Sequence, residues 1–310
     1  MSPIRQKNRL RPAIGRGLRN LLNSEIAAPF VARFASGFRP KRISAMMRVK
    51  NEESFLRSAV ESILPLVDEI VVVDNDSSDA TPQIARSLAE LHADKIKTFS
   101  YPHAVARVGS ENSALASNHD GRNSPRLLAN YYNWCMQRCR MNYILKWDGD
   151  MVATPSLARH IEQFRKSHDL IMWVFGANLH PDHQHLVGAS TDTQQEIDRA
   201  MPLPGAVKSH LSPYTDGHPL LFPKFLATHR PDFWWCEALD TPWVRWSVRN
   251  VGVETCGFLH LKYCRPDPYQ HWSNDFAALM KKGVVPGPDV PLELRSLVGS
   301  LQTGAADTIR

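Results

Sequence analysis

Two aspartates separated by one glycine, Asp148, Gly149 and Asp150, close the apolar run YILKWDGD. In extended backbone residues i and i+2 share a face, so both carboxylates would point the same way, and the glycine would let a ligand approach the chain. Such a pair is a hard oxygen site suited to Mg2+ or Mn2+, cations that keep open positions for phosphate oxygens. Held there, the cation would stabilise the charge on a departing diphosphate. The spelling by itself also suits a turn, the usual home of Asp and Gly, and Asp74 with Asp76 repeats it.

Carboxylates converge on a ligand only if the chain delivers them to one place, and from Ile43 onward strand and helix patterns alternate. Ile43–Val49 reads as a strand. Asn51 then reads as a helix cap, with Glu52 and Glu53 in the first turn and an apolar stripe from Phe55 to Leu64 that Pro65 ends. Residues 70–73 are an unbroken β-branched run, the pattern of a parallel strand covered on both faces, and Asp74 closes it. Thr81 and Pro82 read as the cap and first position of a helix that buries Ile84, Ala85, Leu88 and Leu91, and a strand over 96–101 follows. Residues 102–123 lack periodicity and read as a loop, a candidate lid, over one end of the sheet. A helix from Ser124 and Pro125, with Cys135 and Cys139 one turn apart on its core side, leads to a strand over 143–147 and so to Asp148. Strands separated by helices imply right-handed crossovers and a parallel sheet, with ligands beyond the carboxyl ends of the strands. Asn51, Asp74, Asp148 and Asp150 all fall at such ends. Beyond residue 155 prolines and tryptophans obscure the pattern.

At 310 residues and 43% apolar content the chain can bury one substantial core. No apolar run is long enough to span a bilayer, and the start of the chain lacks the pattern of a secretory signal. Five cysteines, odd in number and without zinc-type pairing, fit a reducing, cytoplasmic setting. The net charge of +6 is uneven: residues 1–42 hold ten basic side chains against one acid, Glu25, so the remainder is mildly acidic. Within that leader Leu18, Leu21, Leu22 and Ile26 repeat at helical spacing. Such a basic amphipathic segment can lie on an anionic membrane surface, at about 1 kcal/mol per basic residue, and a solvated tail is the alternative. Without interleaved aromatics or a recognised module, no nucleic-acid partner is expected.

Three stretches in order, ISAMMRVKNEE (residues 43–53), DEIVVVDNDSSDAT (68–81) and YILKWDGD (143–150), with Asn133 ahead of the last, resemble the family 2 glycosyltransferases of the GT-A fold. The resemblance covers residues 43–151 and implies an α/β fold of GT-A type. That fold is a Rossmann-like, mostly parallel sheet flanked by helices, here with an irregular acceptor-binding second half. It implies that Asp74 hydrogen-bonds the donor base, that Ser77, Ser78, Asp79 and Thr81 shape the next turn, and that Asp148 and Asp150 hold metal and diphosphate. Asn51 and Asn133 would belong to the same donor site. Two departures stand out: Arg48 and Lys50 replace the usual proline and apolar or aromatic residue before Asn51, and Tyr132 stands where an arginine commonly precedes Asn133. Arg48 or Lys50 could supply the missing positive charge near the phosphates, and both also suit exposed strand-end positions.

An inverting transfer needs a carboxylate opposite the diphosphate to take the acceptor's proton. Glu237 and Asp240, in WWCEALDTPW, are the candidates, since similar family members carry an acidic motif after a Leu-Phe-bearing strand, which HPLLFPK (218–224) resembles. Glu237 is favoured because Trp234 and Trp235 could exclude water around it. Those tryptophans, with Trp243 and Trp246, could face acceptor rings or simply pack. Some GT-A enzymes supply a third metal ligand from a late histidine, which makes His260 a candidate, although a histidine among apolar neighbours also suits the core. Lys262 and Arg265 could then clamp the diphosphate. His180, Asp182, His183 and His185 lack the spacing of a zinc site and read as a polar loop.

The expected organisation is a leader (1–42), a glycosyltransferase domain (43–275, with a nucleotide-sugar half over 43–155 and an acceptor half over 156–275) and a C-terminal tail (276–310). The expected function is metal-dependent transfer, with Mn2+ or Mg2+, of a sugar from a nucleotide-sugar donor to a glycan or lipid-linked acceptor, in cell-envelope or exported polysaccharide synthesis. The expected location is cytoplasmic, peripheral on the inner face of the membrane. Two alternatives are a sugar nucleotidyltransferase, for which RVKNEE lacks a Gly-rich phosphate loop, and a non-catalytic membrane adaptor that keeps a transferase-like fold.

Overall fold

β1 (Ile43–Val49) is buried along its length except at half-buried Arg48, because β2 (Glu69–Asp74) pairs parallel on one side of it and β4 (Tyr143–Asp148) parallel on the other. β3 (Ile96–Ser100) adds to β2, again parallel. The computed structural model in which these pairings appear describes residues 40–188, 215–224, 227–231, 237–240, 248–251, 256–281 and 284–303. Helices α1 (Leu56–Ile63) and α2 (Thr81–Leu91) make the crossovers between these parallel strands, and each buries one stripe: Leu56, Ala59, Val60 and Ile63 on the first, Thr81, Ala85 and Leu88 on the second. The β-branched run of β2 is wholly buried, as a strand covered on both faces must be.

The loop expected over 102–123 contains helix α3 (Ser110–Ser117) and a 3-10 turn (Gly121–Asn123). Its sequence, SENSALAS, has no apolar stripe to betray it. Helix α4 (Leu128–Arg138) follows, with Cys135 buried on it and Cys139 buried at its end, as expected. Burial pushes both thiols up to about 12, so they act as small apolar groups.

Past Asp148 the sheet continues with β5 (Met151–Ala153), β6 (Ile171–Asn178), β8 (Thr215–Pro223), β11 (Val248–Val251) and β12 (Phe258–His260), in the order β3-β2-β1-β4-β8-β6-β12-β5, with β11 also on β6. β8 runs antiparallel to β4 and β6, β5 runs antiparallel to β12, and the other pairings are parallel. The sheet is therefore mostly parallel, α/β, and flanked by helices, as the resemblance implies. Helix α5 (Pro155–Lys166), hidden from the sequence by the change in pattern at residue 155, buries Leu157, Ile161 and Phe164 against this half.

Both ends of the chain join the fold further than composition suggests. Lys41, assigned to the leader by its charge, donates through Nζ to the carbonyls of Phe164, Ser167 and Asp169 at the C-terminal end of α5, at 2.7, 2.9 and 2.5 Å. A cation there meets the unsatisfied carbonyls of the helix end. The expected tail is structured over much of its length. After α6 (Asn274–Lys281), β13 (Val285–Asp289) pairs antiparallel with β7 (His185–Gly188). Helix α7 (Leu292–Thr303) packs Leu294 and Val298 on Leu259 and Leu261. The leader's apolar stripe lies outside the described residues. Among the described residues no helix is long and apolar enough to cross a membrane.

Candidate functional site

The register of β1 against β4 sets Arg48 beside Asp148, and that of β1 against β2 sets Val49 beside Asp74, so the three strands end together. Past β1 the chain turns sharply: Asn51 has φ 54, a left-handed conformation that asparagine tolerates better than most side chains. Asn51 does not cap a helix. Its N–H donates to Ser77 Oγ at 2.9 Å, its Oδ1 accepts from the Ser78 N–H at 2.8 Å, and its Nδ2 donates to Gln270 Oε1 at 2.9 Å. It binds two strand-end turns and a distant segment together. The helix begins only at Leu56, which frees Glu52 to turn its side chain inward.

The Asp-Gly-Asp segment is a turn between β4 and β5 rather than extended backbone, and each carboxylate has its own setting. Asp148, with a quarter of its side chain exposed, pairs with Arg48, whose guanidinium carbon lies 3.6 Å from the Tyr132 ring centre. The two departures from the family pattern thus meet: a cation from β1 rests on the residue that replaces the helix arginine. Asp150 is fully buried. Its Oδ1 is 3.2 Å from His260 Nε2 and its Oδ2 is 2.6 Å from Arg265 Nη2. β12 delivers His260 by pairing it with Met151, and the Leu261 N–H donates to the Asp150 carbonyl at 2.8 Å. Burial works against ionisation of both aspartates. At Asp148 the charges of Arg48, Lys146 and His260 outweigh it, and at Asp150 those of Arg265 and His260 do, holding both carboxyls below the usual range.

Gly149 was expected to admit a ligand, but the space is taken by the protein: a Cβ there would lie 2.8 Å from Glu52 Cγ. Glu52 is buried, pairs with Arg265, and lies 3.9 Å from His271 Nε2. Burial, followed by the charge of Asp150, raises its pKa well above the usual value against the pull of Arg265. His271 is pushed down to about 3 by burial and then by Arg265, so it is neutral.

A cavity of about 390 Å³ joins these groups. Arg48, Lys50, Arg107, Lys146, Lys262 and Arg265 line it against three carboxylates, Glu52, Asp148 and Asp150, so cationic side chains are in surplus. The expected lid is pinned across it: the Val108 N–H donates to the His271 carbonyl at 2.9 Å and the Ser273 N–H to the Val108 carbonyl at 2.7 Å. A larger cavity, about 810 Å³, lies beside α1 and α7 with Leu64, Leu66, Val152 and Leu301 in its wall, away from this cluster.

Of the remaining sequence candidates, Asp74 closes β2, its Oδ2 accepting weakly from the Ser77 N–H at 3.4 Å and its Oδ1 buried without a hydrogen-bond partner among the described residues. Asn133 faces another element: its Nδ2 donates to the His229 carbonyl and its Oδ1 accepts from the His229 N–H, both at 2.8 Å. It braces β9 (Thr228–Pro231), on which β10 (Glu237–Asp240) pairs antiparallel. Glu237 and Asp240 therefore sit at the two ends of an edge strand; their side chains, Trp234, Trp235, Trp243 and Trp246 lie outside the described residues. In the His180 cluster, His180 Nδ1 and His185 Nδ1 lie 3.0 and 2.8 Å from Asp182 Oδ2. Glu52 was read only as an acid of a first helical turn, and His271 and Gln270 escaped sequence reading, because only the turn of the chain after β12 brings residues 265–272 back over β1.

By chemical type these donors, carboxylates and an imidazole, suit a hard divalent cation, and among the described residues Glu52 Oε2 is buried without a hydrogen bond. Among the described residues no three His, Cys, Asp or Glu groups are already arranged as a cage. The expected trio of Asp148, Asp150 and His260 lines one cavity without forming such a cage.

Residues 44–117, which include Asn51 and Asp74, match the family described as Glycosyl transferase family 2. Uncharacterized glycosyltransferases of Rickettsia typhi and Rickettsia prowazekii are 44% and 42% identical to the chain over 48 residues, a stretch that spans 16% of this chain and 16% of each relative. Among solved structures, a glucosyl-3-phosphoglycerate synthase from Mycobacterium tuberculosis, in complex with Mn2+, UDP and phosphoglyceric acid, is similar at a TM-score of 0.41 and 16% identity, over 81% of this chain and 78% of that one. A mannosyltransferase from Pyrobaculum calidifontis, in complex with GDP-Man and Mn2+, gives 0.39 and 14%, over 90% and 78%. The likeness to glycosyl transferase family 2 thus rests on residues 44–117, about a quarter of the chain.

Proposed function

We propose that the protein transfers a sugar from a nucleoside-diphosphate donor, UDP-sugars first among the candidates, to a hydroxyl of a glycan or lipid-linked acceptor, with inversion. The observation that supports this reading is the convergence of Asp148, Asp150 and His260 with a surplus of cationic side chains at the carboxyl ends of parallel strands. Asp148, Asp150 and His260 would hold Mn2+ or Mg2+, which when bound neutralises the departing diphosphate. Lys50, Lys146 and Lys262 offset the remaining phosphate charge, and Asp74 offers its unpartnered oxygen to an N–H of the donor base. Glu237 or Asp240 takes the proton of the acceptor hydroxyl as its oxygen bonds to the anomeric carbon and the bond to the diphosphate oxygen breaks. The basic leader holds the protein at an anionic cytoplasmic membrane surface, a setting suited to envelope or exported polysaccharide synthesis.

The test is a panel of nucleotide sugars incubated with the full chain and Mn2+, scored for release of nucleoside diphosphate. Turnover should require the cation and fall at least ~100-fold in Asp150→Asn with folding retained. Pyrophosphate release would point instead to nucleotidyl transfer. No turnover of any donor, even with acceptor extracts, would favour a non-catalytic adaptor.

A further inference from the structure

Neither carboxylate of the Asp-Gly-Asp turn stands open. Arg48 pairs with Asp148 from the neighbouring strand, and Arg265 Nη2 lies 2.6 Å from Asp150 Oδ2 while also pairing with Glu52. The Arg265 pairs are shielded from water, with the side chains of Arg265 and Glu52 7% and 4% exposed and that of Asp150 fully buried, and the Arg48–Asp148 pair is partly shielded, at 11% and 25%. A divalent cation entering alone would compete with each guanidinium for its carboxylate and set a charge of the same sign beside two largely shielded arginines, Arg265 keeping Glu52. No preassembled three-ligand cage among the described residues offsets that cost.

A nucleoside diphosphate arriving with the cation removes the conflict. Its oxygens complete the coordination sphere, and they accept the displaced guanidiniums, whose planar forks suit phosphate. Arg48 can exchange one oxyanion for another at its edge while its face stays on Tyr132.

We propose, resting on the donor reading above, that Arg48 and Arg265 are exchangeable counter-ions that hold the divalent cation off Asp148 and Asp150 until a nucleoside diphosphate is present, so that the site accepts cation and diphosphate together. By linkage, each ligand then tightens the other by the same factor.

The experiment measures Mn2+ binding to the full chain by the electron paramagnetic resonance of free Mn2+, alone and with saturating UDP or GDP, for the wild type and Arg48→Met. In the wild type, nucleotide should tighten Mn2+ binding on the order of tenfold or more. In Arg48→Met, Mn2+ alone should bind on the order of tenfold more tightly than to the wild type, and the coupling should shrink to what Arg265 and the nucleotide's own oxygens supply. Arg48→Lys, which keeps the charge, should retain weak binding of Mn2+ alone. The proposal is overturned if Arg48→Met binds Mn2+ no more tightly than the wild type, or if the wild type shows no coupling, a result that needs no variant to fold. Should neither nucleotide bind in the presence of Mn2+, the donor reading falls, while the comparison with Mn2+ alone still decides on the counter-ions.

Discussion

Arg265 is the side chain on which the buried charges of the site depend. Replacing it by methionine leaves Asp150 and Glu52 buried without their shared cation, so Arg265→Met should cost about 3–5 kcal/mol in urea unfolding. Adding Glu52→Gln removes one of the two stranded charges and should return part of that loss; a double variant no more stable than the single would contradict the pairing. His229 is buried between Tyr132 and Phe222, with ring centres 4.8 and 6.1 Å away, and burial, then Lys146 and Arg48, push its pKa down to about 3. A histidine held neutral in the folded state contributes stability above its unfolded pKa of about 6.5, and loses it as pH falls toward the folded value, at about 1.4 kcal/mol per pH unit. His229→Phe should therefore flatten the decline in stability between about pH 6.5 and about pH 4, measured by denaturant titration at several pH values. An unchanged slope would mean that His229 does not resist protonation.

β9 and β10 form a two-stranded sheet of their own. Neither belongs to the main sheet, and Asn133 on α4 holds the His229 backbone from both sides. Asn133→Ala would leave a buried N–H without its acceptor, a cost of about 1–3 kcal/mol. The effect should be local: by hydrogen exchange the His229 amide should lose protection while the amides of β1 keep theirs. Equal loss in both would mark Asn133 as a global packing residue. The resemblance assigned Asn133 to the donor site; its position before β4 is legible in the sequence, but the strand that meets it is not, because that contact arises only when β9 returns to α4.

For the molecule as a whole, the boundary of the leader falls between its charge and its contacts. Lys41 is tied into the end of α5, whereas residues 1–39 supply the basic apolar stripe. Deleting residues 1–39 should abolish co-sedimentation with anionic vesicles and leave the thermal midpoint unchanged, and Lys41→Ala in the full chain should lower that midpoint and leave vesicle binding unaltered. Vesicle binding that survives the deletion would move the membrane contact to the folded body.

The first four strands, their two crossover helices and the Asp-ended turns were legible because parallel strands covered on both faces must be apolar throughout, and because turn chemistry is local. A polar helix such as α3 and a helix after a break in pattern such as α5 were not, since nothing local separates them from loop. The order of carboxylates along the chain was determined by the sequence alone. Which cation each one meets was not: Arg265 lies more than a hundred residues beyond Asp150, and buried ion pairs form between charges that only the folded chain brings together. The tertiary structure alone decided that the Asp-Gly-Asp turn is closed by two arginines, because burial makes such pairing obligatory while spacing says nothing of it.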